Sequence, residues 1–272
     1  MPRGKRKYRP AGWVDDLQNS VRMKHKLSLI LGLLLVFFGG VVYQSRKRER
    51  VPGQEGLEDP SVAAAFNRIA AWPQMRLLRW YVVRRILRLV HDGQAVDIGC
   101  GPGHLVFELA QRAPEIKLTG VDLSDQLLSQ AGQVAAQRDF DHRVQFKKGD
   151  AQDLPFEDAS LDLVITTLSL HHWNQPVAVF DEIARVLRPG GAFLIFDLRR
   201  DMAAPFYLLL WFATHLVVPR ALRQVNEPMG SRDAAYSGGE AADLLKASNL
   251  TGWQIVSGPL WLVIEGKTRI ES

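Results

Sequence analysis

Ala95-Val-Asp-Ile-Gly-Cys-Gly-Pro-Gly-His104 is the stretch whose reading decides the fold. Ala95 to Ile98 is a short, mostly apolar run that reads as a buried strand, and Gly99, Gly101 and Gly103 break it into a tight loop. Leu105 to Arg112 then carries helical periodicity. Strand, glycine loop and helix together bring bare backbone N–H groups and a helix N-terminus up to a nucleotide-like ligand.

Downstream, apolar runs alternate with helical patterns, the signature of a parallel sheet. The pattern predicts strands over Ala95–Ile98, Lys117–Asp122, Val144–Lys148, Leu161–Thr166 and Ala192–Asp197. Helices are predicted over Gly103–Arg112, Ser124–Arg138 and Gln175–Leu187, with Ser124 and Asp125 capping the second and Pro189-Gly190-Gly191 turning out of the third. A further helix over Gly239–Ser248 leads to two more strands, Gly252–Ser257 and Leu260–Gly266. The Gly258-Pro259 turn between them is too short for a crossover, so that pair is antiparallel.

Upstream, the 272-residue chain carries an uneven basic surplus within its net charge of +5. Arg3, Lys5, Arg6, Lys7, Arg9, Arg22, Lys24 and Lys26 crowd the first 26 residues against only Asp15 and Asp16. Leu27 to Tyr43 follows without a charge, and Arg46, Lys47, Arg48 and Arg50 come straight after it. That run sits at the lower edge of the ~17–25 residues a spanning helix needs, and no small-x-small cleavage site marks it as a removable signal. The expected layout is a basic arm (1–26), a transmembrane anchor helix (27–43), a Pro/Gly-rich linker (44–60) and a globular domain (61–272). More Lys and Arg precede the anchor than follow it, which would send the domain outward. Chemistry that draws on a cytosolic cofactor would keep it facing the cytoplasm, and that is the expected localisation.

Within the domain, Ser61 is expected to cap a helix running to about Ala71 that Pro73 interrupts, followed by a helix over Met75–Val90. The latter interleaves five arginines with leucines, read as a solvated face on a core-packed helix. An insertion, 199–236, holds Phe206 to Val218, apolar on every face and too short to span a bilayer. It is expected to be buried or interfacial, a core or lid helix, with the wall of a pocket for a greasy substrate, resting on the bilayer, as the functional reading. The single cysteine, Cys100, excludes an intrachain disulfide and any multi-cysteine metal site.

Several features stand at carboxyl ends of strands, where ligands bind in open α/β sheets. Asp122 ends the second strand about 20 residues past the loop, where a carboxylate meets a ribose diol. Asp150, after Gly149, can accept from an adenine amino group with Ala151 beside the ring. Thr166-Thr167-Leu168 follows the fourth strand next to the glycine loop.

VDIGCGPGHL, TGVDLS, GDAQDLPFEDASLDLVITTLSLHHW and EIARVLRPGGAFLIFD resemble, in order, the motifs of class I S-adenosylmethionine-dependent methyltransferases. The likeness extends over roughly Ala65 to Gly266 and is strongest to the small-molecule branch typified by ubiquinone and menaquinone biosynthesis enzymes. It implies a Rossmann-like seven-stranded sheet, mostly parallel with a terminal antiparallel hairpin, and S-adenosylmethionine as co-substrate with no metal. It further implies that Asp97 serves the amino group of the methionine moiety, that Gly99, Gly101 and Gly103 admit the ligand, and that Cys100 lines the loop by its main chain. Asp122 would hold the ribose hydroxyls, Leu123 would pack on the adenine, Asp150 and Ala151 would frame the ring, and Thr167 and Leu168 would lie near the sulfonium.

Methyl transfer from a sulfonium is a direct displacement, so alignment carries much of the rate and a base is needed only if the acceptor must lose a proton. His171 and His172 could serve, but a structural or pocket-lining role is the preferred reading, and no catalytic residue is assigned. Two adjacent histidines without a cysteine or a clear carboxylate partner make no metal site. His215 is either satisfied locally or faces a substrate. The expected function is methyl transfer to a small, lipophilic acceptor at a membrane. The alternatives are a nicotinamide-dependent oxidoreductase, disfavoured because Phe107 stands where the dinucleotide spacing needs glycine, and a non-catalytic ligand-sensing membrane scaffold. A nucleic-acid partner is disfavoured, because the fourth strand leads into Thr166-Thr167-Leu168-Ser169 and not an Asn/Asp-Pro-Pro-aromatic tetrapeptide.

Overall fold

A computed structural model of the chain describes residues 23–24, 28, 32, 39, 49–52, 59–140 and 142–270. Two compact units divide at Lys47 and Arg48. In the first, the described residues are Met23, Lys24, Ser28, Gly32 and Gly39, each helical. The expected anchor, 27–43, otherwise lies outside the described residues, as does most of the basic arm. Among the described residues, no helix is long and apolar enough to cross a membrane.

The second unit, Arg48–Ser272, is a seven-stranded sheet in the order β3-β2-β1-β4-β5-β7-β6. Its strands are β1 (Gly93–Ile98), β2 (Ile116–Asp122), β3 (Val144–Lys148), β4 (Leu161–Thr167), β5 (Leu187–Leu198), β6 (Trp253–Ser257) and β7 (Trp261–Lys267). The first five pair in parallel. β7 enters antiparallel between β5 and β6, matching the expected hairpin. Strand order reverses between β1 and β4, so their carboxyl ends open a crevice where the glycine loop sits.

Side-chain alternation sends each strand's apolar residues to both faces. Val96, Ile98, Phe193 and Ile195 join a core with α5 (Pro176–Val186) and α9 (Gly238–Lys246). Ala95, Leu194 and Phe196 join the opposite core with α2 (Pro73–Leu89) and α3 (His104–Arg112). Burial on both faces is why these strands read as near-continuous apolar runs. α4 (Asp125–Gln137) is capped by Ser124, whose hydroxyl accepts from the Leu127 N–H as expected.

Four expectations are corrected. α1 (Pro60–Ala70) is capped by Asp59, whose carboxylate accepts from the Ser61 N–H at 2.7 Å, so Ser61 is a recipient and not the cap. Pro73 starts α2, because a first-turn proline has no helical N–H to lose. Pro189-Gly190-Gly191 lies inside β5, where the pairing with β4 shifts register between Leu161 and Leu163. The apolar insertion forms α6 (Ala204–Leu216), followed by α7 (Arg220–Gln224) and α8 (Met229–Ala234). Only Tyr207 and Thr214 are buried along α6, which sets aside the buried-core alternative and leaves the lid or interfacial one.

Arg85 of α2 clasps Glu265 of β7 with Nε at 2.8 Å from Oε2 and a second contact from Nη2 to Oε1, and Nη1 reaches the Tyr81 hydroxyl at 2.9 Å. This pair fastens a helix to the centre of the antiparallel edge, and Glu265 is buried. Replacing Glu265 with Ala should lower the unfolding free energy by about 2–3 kcal/mol in urea titrations, below the cost for a fully buried pair because Arg85 keeps some solvent contact.

Candidate active site

The glycine loop is pinned by its own backbone. Gly99 and Cys100 N–H groups both donate to the Val121 carbonyl, at 2.8 and 3.1 Å, and Gly103 N–H donates to Cys100 O at 3.0 Å. Gly101 N–H donates to Asp122 Oδ2 at 2.8 Å. These four N–H groups are therefore not bare, contrary to the reading from sequence, because a buried backbone donor must be paired. What the glycines supply is shape. At Gly99, φ is +68° and a Cβ would come within 2.4 Å of Ser169 Oγ; at Gly101, φ is +52° and a Cβ would meet nothing within 4 Å, leaving an open side. Cys100 turns inward, buried beneath the loop, and burial followed by the charges of Asp97 and Asp122 pushes its thiol up.

Asp97 lies at the carboxyl end of β1, fully enclosed, and its Oδ1 has no hydrogen-bond partner. Burial first, and the charge of Asp122 second, push its pKa up to about 8. Asp122, at the end of β2, accepts from Gly101 N–H and from Ser124 N–H at 2.9 Å, which fixes the carboxylate and leaves each oxygen a further lone pair. Leu123 beside it is 56% exposed, a flat apolar surface. Asp150 follows β3 and accepts from Gln152 N–H at 2.9 Å, with Ala151 half-buried next to it. Thr167 ends β4, and Leu168 takes a left-handed φ of 56°, held by its N–H to Phe196 O at 2.8 Å. The expected residues thus stand on the carboxyl ends of β1 to β4 and the loops that follow them.

Beyond β4, a single turn over Leu170–His172 carries a group of residues that sequence reasoning did not assemble. Asp197 of β5 holds His171 twice: Oδ1 lies 2.7 Å from Nδ1, and Oδ2 accepts the His171 N–H at 2.9 Å. Both side chains are buried, and His171 Nε2 has no partner. A carboxylate only accepts, so Nδ1 carries a proton, and in the neutral ring Nε2 is the bare nitrogen. Burial works to lower the His171 pKa, but the charge and hydrogen bond of Asp197, with the charge of Glu227, outweigh it, and the net shift is upward. His172, its ring 4.0 Å from that of His171, is pushed down to about 4 by burial and then by its neighbour's charge. Glu227 is buried with Ser231 as hydroxyl donor at 2.5 Å, and burial raises its pKa.

Arg50, expected in a free linker, instead seals this group. Its Nε donates to Ala234 O at 2.7 Å, Nη2 donates to His171 O at 3.1 Å, and the guanidinium lies 4.2 Å over the Tyr236 ring. His215 is exposed and its Nδ1 bonds Trp211 O at 2.7 Å, the local alternative of the two weighed. The Asp197 contact also corrects the view that the histidine pair lacks a carboxylate partner. The sequence signal was available, since Asp197 ends the fifth strand and β4 and β5 are neighbours, but a spacing of 26 residues carries no pairing rule. Among the described residues, no group of three His, Cys, Asp or Glu is placed to hold a metal ion. A cleft of about 350 Å³ lies at the amino ends of β1, β4 and β5, where Asp162 and Arg188 are paired with each other.

Residues 96–195 match the family model described as a methyltransferase domain. The chain is 30% identical over 184 residues to a demethylmenaquinone methyltransferase of Porphyromonas gingivalis, covering 62% of this chain and 75% of that protein. It is 40% identical over 112 residues to the 27-O-demethylrifamycin SV methyltransferase of Amycolatopsis mediterranei, and this match spans only 41% of either chain. Among solved structures, a SAM-dependent methyltransferase from Aquifex aeolicus superposes with a TM-score of 0.58 at 15% identity, covering 77% of this chain and 98% of that one. Geranyl diphosphate C-methyltransferase of Streptomyces coelicolor, solved with S-adenosyl-L-homocysteine, gives 0.51 at 16% identity over 69% of this chain and 75% of that one. With the seven-stranded order and the site geometry, these findings identify the chain as a member of the class I S-adenosylmethionine-dependent methyltransferases.

The residues fit that co-substrate on their own chemistry. Asp97 Oδ1 is a buried acceptor without a donor, suited to an ammonium; Asp122 keeps lone pairs for a diol; Leu123 offers an apolar face for an aromatic ring. A carboxyl with a pKa of about 8 is mostly neutral at pH 7, and an adjacent ammonium favours its ionised form. Binding of S-adenosylmethionine at pH 7 should therefore release most of a proton per site, seen as a buffer-dependent heat in calorimetry, and affinity should rise from pH 6 to pH 8. Because the folded value lies above the unfolded 3.8, ionising Asp97 costs folding stability as pH rises between the two. Asp97→Asn should thus raise the melting temperature of the free protein at pH 8 while removing binding.

Proposed function

We propose that the protein transfers the methyl group of S-adenosylmethionine to a hydroxyl on a small, lipophilic acceptor at a membrane, with residues 27–43 as the anchor and the catalytic unit facing the cytoplasm. The observation that carries the acceptor side is the buried Asp197–His171 pair with its partnerless Nε2. When bound, the co-substrate would supply an electrophilic methyl on a sulfonium, whose carbon–sulfur electron pair returns to sulfur so that a neutral thioether leaves.

This chain's residues do the rest. Asp97, Asp122 and the glycine loop orient the donor, and His171 Nε2 takes the hydroxyl proton as the acceptor oxygen forms its bond to the methyl carbon. Asp197 keeps the imidazole in the accepting tautomer and stabilises the imidazolium that results. Two relatives are named for their acceptors, a demethylmenaquinone and a 27-O-demethylrifamycin, and the second name places the methyl on oxygen.

The test uses methyl-labelled co-substrate with lipid extracts of cells producing the full chain. His171→Ala should lower label transfer by about 10²–10⁴-fold, the range for a lost general base, with S-adenosylmethionine binding retained. Transfer by the wild type should fall as pH drops through the His171 pKa, since the protonated ring cannot accept a proton, and Asp197→Asn should move that limb to lower pH. Wild-type rates in His171→Ala would remove the residue from the chemistry. A reporter fused after Ser272 and read only on the non-cytosolic side would contradict the orientation.

A further inference from the structure

α6 is apolar on all sides, yet it is docked by only one. Tyr207 and Thr214 face inward, while Leu209 is 64% exposed, Leu216 78% and Val217 60%. Leu209 and Leu216 are two turns apart and share a face. Large apolar side chains such as Leu209 and Leu216 gain free energy of burial from a partner that takes them out of water.

The surroundings say what kind of partner. From Ala203 to Asn226 the chain contains no Asp or Glu, and its charges are Arg220 and Arg223, both exposed just beyond the helix end. Arg223 is held there by donating to His215 O at 3.2 Å. Val218, next in the chain after the exposed Val217, packs with Leu222 on Val62 and Ala65 of α1, a helix that also lacks acidic residues and exposes Phe66 and Arg68. An apolar face rimmed by arginine and free of carboxylate complements an anionic bilayer surface, into which the leucines insert while the guanidinium groups meet phosphate.

We propose that α6 and the start of α7 form a second membrane contact, by which the catalytic unit lies on an anionic lipid surface. The buried side of α6 connects this contact to the chemistry. Tyr207 lies 4.9 Å beneath the Arg232 guanidinium of α8, and α8 packs against both α6 and the turn that carries His171. The face that would meet lipid is therefore one helix away from His171. This rests on the reading of a lipophilic acceptor given above.

The anchor segment would hold the full chain on vesicles whatever α6 does, so the test reads depth at α6 itself. Leu209→Cys and Leu216→Cys are labelled with an environment-sensitive fluorophore, with Gln137→Cys of α4 as the solvent-facing control; the native Cys100 is buried and its thiol raised, so it does not compete. The full chain is reconstituted into vesicles of phosphatidylcholine and phosphatidylglycerol with and without nitroxide-bearing acyl chains. The expected result is blue-shifted emission at 209 and 216, quenched by the nitroxide, with neither effect at 137. Blue-shifted but unquenched emission would show the face covered by protein, either residues 27–43 or a second copy, and would overturn the proposal. Emission typical of water would overturn it as well. S-adenosylmethionine binding measured on the same samples separates failure of this contact from failure of the methyl-transfer reading.

Discussion

The site depends on one carbonyl and one carboxylate. Val121 O and Asp122, at the end of β2, collect the N–H groups of Gly99, Cys100 and Gly101 from the loop after β1. That cross-strand gathering bends the chain away from the sheet and leaves the Cβ-free side of Gly101 open to the crevice. It also ties Asp122 into a rigid acceptor before any ligand arrives, with Ser124 N–H as the second clamp and the start of α4 behind it. Preorganisation of this kind removes an ordering cost that a floppy carboxylate would otherwise impose on binding.

The same crevice tolerates an unfavourable group. Asp97 is enclosed, carries an unpaired oxygen and is held near neutrality by burial and by Asp122. A hydrophobic residue there would suit the fold better, so the carboxyl is a cost the folded chain bears for its ligand. On the acceptor side the arrangement is opposite. His171 is buried too, but Asp197 compensates it with two hydrogen bonds, and Arg50 and Glu227 surround it with charges of both signs. One end of the site thus waits for a cation and the other keeps a lone pair ready.

The sheet was legible because its signals are local. Alternating apolar runs, the Ser124 cap and the short Gly258-Pro259 turn each act within a few residues, and the observed strands differ from the expected ones by a few residues at their ends, most at β5. Errors arose where a residue's role depends on what lies across space. Pro189-Gly190-Gly191 looks like a turn in sequence but falls within the span of β5, at the point where its register against β4 slips from Leu161–Leu187 to Leu163–Ala192. Phe206 to Val218 is apolar enough for a core, yet Leu209, Leu216 and Val217 are exposed in it. Arg50 sits in a stretch composed like a linker, and only the fold brings Tyr236 and His171 to it.

The amino-acid sequence by itself determined the α/β alternation, the glycine loop, and the carboxylates at the ends of the first three strands, because each is set by periodicity or by position relative to a strand end. Tertiary structure alone decided that the loop N–H groups are spent on Val121 and Asp122, that Asp197 pairs with the buried His171, and that α6 leaves Leu209 and Leu216 exposed. These are matters of pairing between segments distant along the chain, and burial and hydrogen-bond partners across such distances follow from packing, which no local pattern encodes.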